Sequence, residues 1–424
     1  MIRLLVAAAA LPVILPAAVL AEESRTARPP NIVLILADDL GASSLPAYGA
    51  TIPSTPHLDA LARSGIRFAS ACATPLCSPS RAQLLTGRYG FRTGWIDLIG
   101  RGTPRFFEPK ERTFGHLLDG AGYATALAGK WQLATSFRER PDHVKECGFR
   151  EYCVWADDLD ERRSSRYWGP EVWRDGKLEK LSGRYGEDVF ADYLIEFMRR
   201  NRSRPFLAYY PMVLVHPPFE PTPAQRAAGV SRRSPENFPA MIEHMDRTVG
   251  RIVDALGELG LLESTLVIFT ADNGSPRQVS TRIGGREVPG GKGTVTHAGT
   301  HVPLIASWKG VTPAGRVTAA PVDLTDILPT IAEVTGAKLP AGTVLDGRSF
   351  APILRGEMVT PRSWVFSQLG TDRFARDARW LLHDDGRLHD ISRDPLEEKD
   401  LAKSPDPEAA AARARLQTAL DGLR

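Results

Sequence analysis

Four apolar runs in the first two thirds of the chain each stop at polar residues. Asn31-Ile32-Val33-Leu34-Ile35-Leu36-Ala37 ends at Asp38-Asp39, and residues 123–128 end at Gly129-Lys130-Trp131-Gln132. Residues 206–215 end at His216, residues 266–271 end at Asp272-Asn273, and residues 302–308 form a fifth run. Such runs suit strands buried on both faces of a parallel sheet. Helical spacing lies between them: Leu58, Leu61 and Ala62 after Thr55-Pro56, Val189 to Phe197 within 187–200, and Met241, Met245, Val249, Ile252 and Leu256 within 239–259. Alternating strands and helices predict an α/β fold, a large mostly parallel or mixed sheet sandwiched by helices. Ligands of such sheets bind beyond the carboxyl ends of the strands. Asp38, Asp39, Lys130, His216, Asp272 and Asn273 are therefore predicted to converge.

The texture changes in two places. Residues 141–183 are rich in charge and tryptophan with weak periodicity, and predict an irregular insertion able to wall a site. From about residue 345, short strand-like segments near 364–368 and 380–383 precede a helix over 407–423, predicting a smaller C-terminal α+β subdomain. The expected division is a signal segment over 1–21, a catalytic domain over 22–344 and the subdomain over 345–424.

Composition narrows the function classes. The chain has 424 residues, a formal charge of +3 and a pI near 8.6, with basic residues scattered. That balance leaves no footprint for nucleic acid and mildly suits an anionic substrate. Arg3, the apolar stretch 4–20 and Val19-Leu20-Ala21 read as a secretory signal, broken by Pro12 and Pro16 and short for a bilayer. An exported, periplasmic or extracellular protein is expected, without a stable membrane span after cleavage. In that compartment Cys147 can pair with Cys153 or remain free, and Cys72 can pair with Cys77.

Candidate chemistry centres on Cys77-Ser78-Pro79-Ser80-Arg81. Ser78 is placed to cap a helix with Pro79 at its first position, so Cys77 would sit where helix N–H groups stabilise negative charge. Arg81, a turn later, can return a planar fork to the same place. Asp38, Asp39, Asp272 and Asn273 offer only oxygen donors, which favours Ca²⁺ over Zn²⁺, with Mg²⁺ as the alternative. Lys292 lies in Gly290-Gly291-Lys292-Gly293-Thr294, where glycines permit close approach to an anion.

Cys77 to Arg81, with Leu85-Thr86-Gly87 following, resembles the signature of the formylglycine-dependent sulfatases, of the alkaline phosphatase-like superfamily. The similarity runs, motif by motif, from about residue 30 to residue 402. It implies that a maturation enzyme oxidises Cys77 to formylglycine, whose hydrate attacks sulfur and completes a calcium shell formed with Asp38, Asp39, Asp272 and Asn273. It further implies that Arg81 holds the hydrate, Lys130 and Lys292 bind sulfate, and His216 protonates the leaving oxygen. The expected activity is hydrolysis of a sulfate monoester on a small molecule or polysaccharide. Gln132 departs from the family, which usually has histidine there. Glutamine cannot carry a proton at neutral pH, so a weakened, sulfate-ester-binding protein is one alternative. Hydrolysis of phosphate or phosphonate esters on the same architecture is the other.

Overall fold

Strand β1 (Asn31–Ala37) is buried along its whole length and lies near the middle of a ten-stranded sheet. The fold is taken from a computed structural model, which describes residues 28–108, 110–157, 164–358 and 362–423. The expected signal segment over 1–21 lies outside them. The other strands are, in chain order, β2 (Ile66–Phe68), β3 (Ala124–Gly129), β4 (Glu151–Trp155), β5 (Glu171–Arg174) and β6 (Lys177–Lys180). They continue with β7 (Phe206–Pro211), β8 (Thr265–Ala271), β9 (Leu304–Trp308) and β10 (Arg316–Thr318).

The spatial order is β10-β2-β9-β8-β1-β7-β3-β4-β5-β6. The five strands from β8 to β4 are parallel, with Ile32 opposite Leu207 on one side of β1 and Leu266 on the other. Helices α1 (Pro56–Ser64) and α3 (Gly186–Arg200) pack against the sheet and against α4 (Phe238–Glu258), whereas α2 (Cys77–Thr86) packs against residues 324–335. Apolar residues of these strands and helices form one continuous core. Beyond residue 364 an antiparallel sheet of β11 (Val365–Leu369), β12 (Asp372–Arg376), β13 (Trp380–His383) and β14 (Leu388–Asp390) carries helix α5 (Pro407–Asp421). Its core reaches the first part through Tyr89 and Cys72.

Several expectations need correction. The segment 141–183 is not irregular, because β4, β5 and β6 extend the main sheet. The outer two hide from pattern reading because they are short and half solvated, and Lys177–Lys180 alternates charge along an edge. The fifth apolar run runs antiparallel to β8. Strand β7 ends at Pro211, four residues earlier than the apolar run. Residues 212–215 remain buried because Met212 N–H donates to Leu36 O, and Val215 N–H donates to Asp38 O at 2.6 Å. All four cysteines are free and buried, so neither considered disulfide forms.

Candidate active site

Helix α2 begins at Cys77 itself, with Leu76 in the capping position, so Ser78 is not the cap. Its hydroxyl instead accepts from Ile99 N–H at 3.1 Å, which ties down the chain beyond the helix. All ten residues of α2 are buried. Gly87 closes the helix in the left-handed conformation that glycine adopts without penalty.

The strand ends deliver the carboxylates. Asp38 follows β1 directly, and its N–H donates to Leu214 O at 2.7 Å. This pairing brings His216 to the same edge although it lies five residues past β7. Asp39 has a φ of 63°, a left-handed conformation uncommon for a residue with a side chain, and its N–H donates to Asp272 Oδ1 at 3.0 Å. Asn273 Nδ2 donates to Asp39 Oδ1 at 2.8 Å. Gly129, just before Lys130, admits no other residue: a Cβ there would lie 1.9 Å from Pro211 O.

Around these carboxylates stand four cations. Lys130 Nζ donates to both oxygens of Asp38, at 2.9 and 2.8 Å. Arg81 donates from Nε and Nη2 to Asp272 Oδ2 at 3.1 and 2.6 Å, and from Nη1 to Lys130 O at 3.0 Å. Lys292 Nζ donates to Asp39 at 2.6 Å. Arg166 Nη1 lies 3.4 Å from Asp38 Oδ2, with its guanidinium 4.3 Å from the ring centroid of Trp155. Cys77 Sγ sits among them, 3.4 Å from Asp38 Oδ1 and 3.7 Å from Asp39 Oδ1.

The charges explain the titration directions. Burial alone would raise Asp38 and Asp39, but Lys130 outweighs it at Asp38, and at Asp39 His216, charged only in the acid range, does so together with Lys292. Asp38 is held well below the usual carboxylate range. Asp272 is pushed up to about 6 by burial and by repulsion from Asp38, against the attraction of Arg81. His216 is held down at about 3 by burial and by the positive charge of Arg166. Its ring is therefore neutral at pH 7, with Nδ1 donating to Pro217 O and Nε2 3.7 Å from Asp39 Oδ2. Four cations then face three carboxylates, a net positive centre able to hold an anion.

Burial and the Asp272 charge raise the Cys77 thiol far above its ordinary value. The helix N-terminus was expected to stabilise negative charge at this place; for the thiol, burial and the Asp272 carboxylate outweigh it. An unmodified Cys77 is thus a protonated thiol at neutral pH.

The donor set fits a hard divalent cation. Asp38, Asp39, Asp272 and Asn273 can each offer a side-chain oxygen, and the buried Asn273 Oδ1 has no hydrogen-bond partner among the described residues. Donor atoms of Asp38, Asp39, Cys77 and His216 all lie within 4.8 Å of one another.

Nine of the ten residues predicted from sequence are linked by these contacts. Gln132 stands just past the carboxyl end of β3 with a φ of 55°, its buried Oε1 without a hydrogen-bond partner among the described residues. Sequence reasoning missed Arg166, whose only signal was an arginine within a segment bearing several tryptophans. A Cβ on Gly291 would meet the Ala298 backbone at 2.5 Å, so this glycine lets the loop that carries Lys292 pack against backbone. His297 and His301 stack on each other at 4.5 Å, away from the carboxylates, and His301 Nε2 meets Ala69 O.

A buried carboxylate cluster, cations and one side chain at a helix start, gathered at the carboxyl edge of a parallel sheet, define an anion-handling centre of an α/β protein. The chain belongs to the sulfatase family, whose profile, described as Sulfatase, matches residues 30–337. It is 34% identical to steryl-sulfatase of Mus musculus over 416 residues, covering 78% of this chain and 66% of that protein. To arylsulfatase A of Homo sapiens it is 36% identical over 374 residues, covering 80% and 70%. The chain thus spans about two thirds of the length of these curated relatives. The crystal structure of Ps i-CgsB in complex with k-i-k-neocarrahexaose superposes with a TM-score of 0.78 at 25% identity, covering 92% of each chain. The relatives named as sulfatases are sulfuric ester hydrolases, and the expected alkaline phosphatase-like fold is the one observed.

Proposed function

We propose that this protein is an exported sulfatase that hydrolyses a sulfate monoester to an alcohol and sulfate. The observation that carries the reading is the placement of Cys77, buried between three carboxylates and four cations with its thiol held protonated. As a thiol the residue has no means of attack. Oxidised to formylglycine, it supplies the nucleophile, and a calcium ion held by Asp38, Asp39, Asp272 and Asn273 supplies Lewis-acid stabilisation of negative charge.

The remaining work falls to the chain's own side chains. Arg81, clamped to Asp272 and to the backbone of Lys130, fixes position 77 one helical turn away. Lys130 and Lys292 leave Asp38 and Asp39 to share the oxygens of an incoming sulfate, and Arg166 adds a third positive charge on the same side. His216 is neutral in the free protein. A sulfate ester bound beside Nε2 brings negative charge that raises the affinity of the ring for a proton. The imidazolium then protonates the departing oxygen. Gln132 orients groups at position 77 by hydrogen bonding and moves no proton.

A sulfated glycan is the favoured substrate class, since a structural relative at 25% identity binds a neocarrahexaose. Hydrolysis rates on matched 4-nitrophenyl sulfate and phosphate esters test the reading. Sulfate should be preferred by at least tenfold, and a preference for phosphate would overturn it. Gln132 favours a second reading, a protein that binds sulfate esters with weakened turnover.

A further inference from the structure

Four of the chain's nine histidines lie where the C-terminal sheet meets the loop that follows Lys292. Two of them, His383 at the end of β13 and His389 in β14, stand with their rings 5.5 Å apart and nearly perpendicular. Glu397, from the turn after β14, completes a group whose donor atoms all lie within 4.8 Å of one another. His383 Nε2 and Glu397 Oε2 are 2.7 Å apart, and both side chains are 4% exposed.

An ion pair between His383 and Glu397 would explain those two residues but leaves His389 unexplained. His389 is 2% exposed, and its Nδ1 meets Lys399 O at 3.0 Å. A carbonyl can only accept, so Nδ1 carries the proton and Nε2 carries a lone pair. That buried Nε2 has no hydrogen-bond partner among the described residues. Leaving a polar atom so is costly. A backbone carbonyl fixing one ring nitrogen while the other faces a carboxylate and a second imidazole is the outer-shell arrangement of a metal-bound histidine.

From this geometry we propose a second metal site, separate from the Asp38 centre, in which His383, His389 and Glu397 bind one zinc ion. Two imidazoles and a carboxylate suit zinc, and water takes the fourth position. Donors about 2.0–2.2 Å from a tetrahedral zinc stand roughly 3.4 Å apart. The His383–Glu397 pair therefore opens by less than about 1 Å on binding. Glu397 Oε1 also accepts from the backbone N–H of His297, five residues beyond Lys292. The ion thus ties strands β13 and β14 to the segment that carries a sulfate-binding lysine. Its role is structural: it holds that segment against the sheet.

The test uses full-length protein with Cys77→Ala and Asp38→Asn, which takes two of the donors from the first centre and weakens its competition for the ion. After dialysis against a chelator, zinc chloride is titrated calorimetrically, and cobalt(II) absorption reports the coordination. One equivalent should bind at micromolar concentration or tighter, with the visible bands of a nitrogen-ligated tetrahedral cobalt. His389→Gln and Glu397→Gln should each weaken zinc binding at least tenfold. His383→Gln serves as the third arm should either fail to fold by circular dichroism. Absence of binding at 100 μM zinc would overturn the proposal, as would binding that folded His389→Gln or His383→Gln leaves unchanged.

Discussion

Arg81→Lys keeps the positive charge at the centre but removes the fork, which makes it a sharp test of what the guanidinium does. Arg81 is 1% exposed and makes three hydrogen bonds, two to Asp272 and one to Lys130 O. A lysine ammonium is a single point of charge on a flexible stem and cannot span both partners. A hydrogen bond to a charged group contributes about 1.5–3 kcal/mol. Losing two of the three and keeping one should therefore cost about 3–6 kcal/mol of folding stability, in line with damage to a buried ion pair. Asp272, already at about 6, loses part of the attraction that opposes burial and Asp38, so its carboxyl rises further and leaves the metal-binding state near neutrality. Misplacement of position 77 adds a kinetic penalty of about 10²-fold. Urea unfolding gives the first quantity and kcat/KM on 4-nitrophenyl sulfate the second. Stability within about 0.5 kcal/mol of wild type, together with activity within threefold, would show that charge alone matters and that the clamp does not.

Three further predictions concern other parts of the molecule. Gln132→His should raise turnover at least tenfold if glutamine limits proton transfer; no gain, together with strong native activity, removes the reading of a weakened binding protein. Removing metal with a chelator should abolish hydrolysis, calcium should restore it, and Asn273→Ala should raise the calcium concentration needed at least tenfold; activity indifferent to chelation would contradict the oxygen-donor reading. His143 is pushed down to about 4 by burial, and Trp131 Nε1 donates to its Nδ1 at 3.0 Å, so protonation there meets another N–H. Its contribution is complete above about pH 6.5 and is lost as pH falls towards 4, a decline of about 3 kcal/mol. The stability advantage of wild type over His143→Gln should narrow by that amount between pH 7 and pH 4, and a constant gap would refute it.

The positions of most site residues were legible because the parallel core is written as apolar runs that each end in a polar group. β1 and β8 end where the runs end, so Asp38, Asp39, Asp272 and Asn273 could be placed together without coordinates. His216 was legible for a different reason than supposed, since its run contains both a strand and a buried connection bonded to Asp38. Arg166 was not legible. Nothing in its sequence neighbourhood distinguishes an arginine that reaches a buried aspartate from one that faces water, and the strands around it are short and half charged. The titration of Cys77 was not legible from the helix start alone, because it is set first by burial and then by the carboxylate of Asp272, far away in sequence. Long-range contacts of that kind leave no local pattern.

The central claim is that position 77 carries an aldehyde. Mass spectrometry of the tryptic peptide spanning Cys77, from protein made in its own host, tests it directly. Replacing CH₂–SH by an aldehyde lowers the mass by roughly 18 Da relative to the thiol. The account predicts that lighter peptide, and reaction with a hydrazide probe at the same residue. A peptide carrying only the thiol would contradict it, because a buried and protonated Cys77 leaves the proposed hydrolysis without a nucleophile.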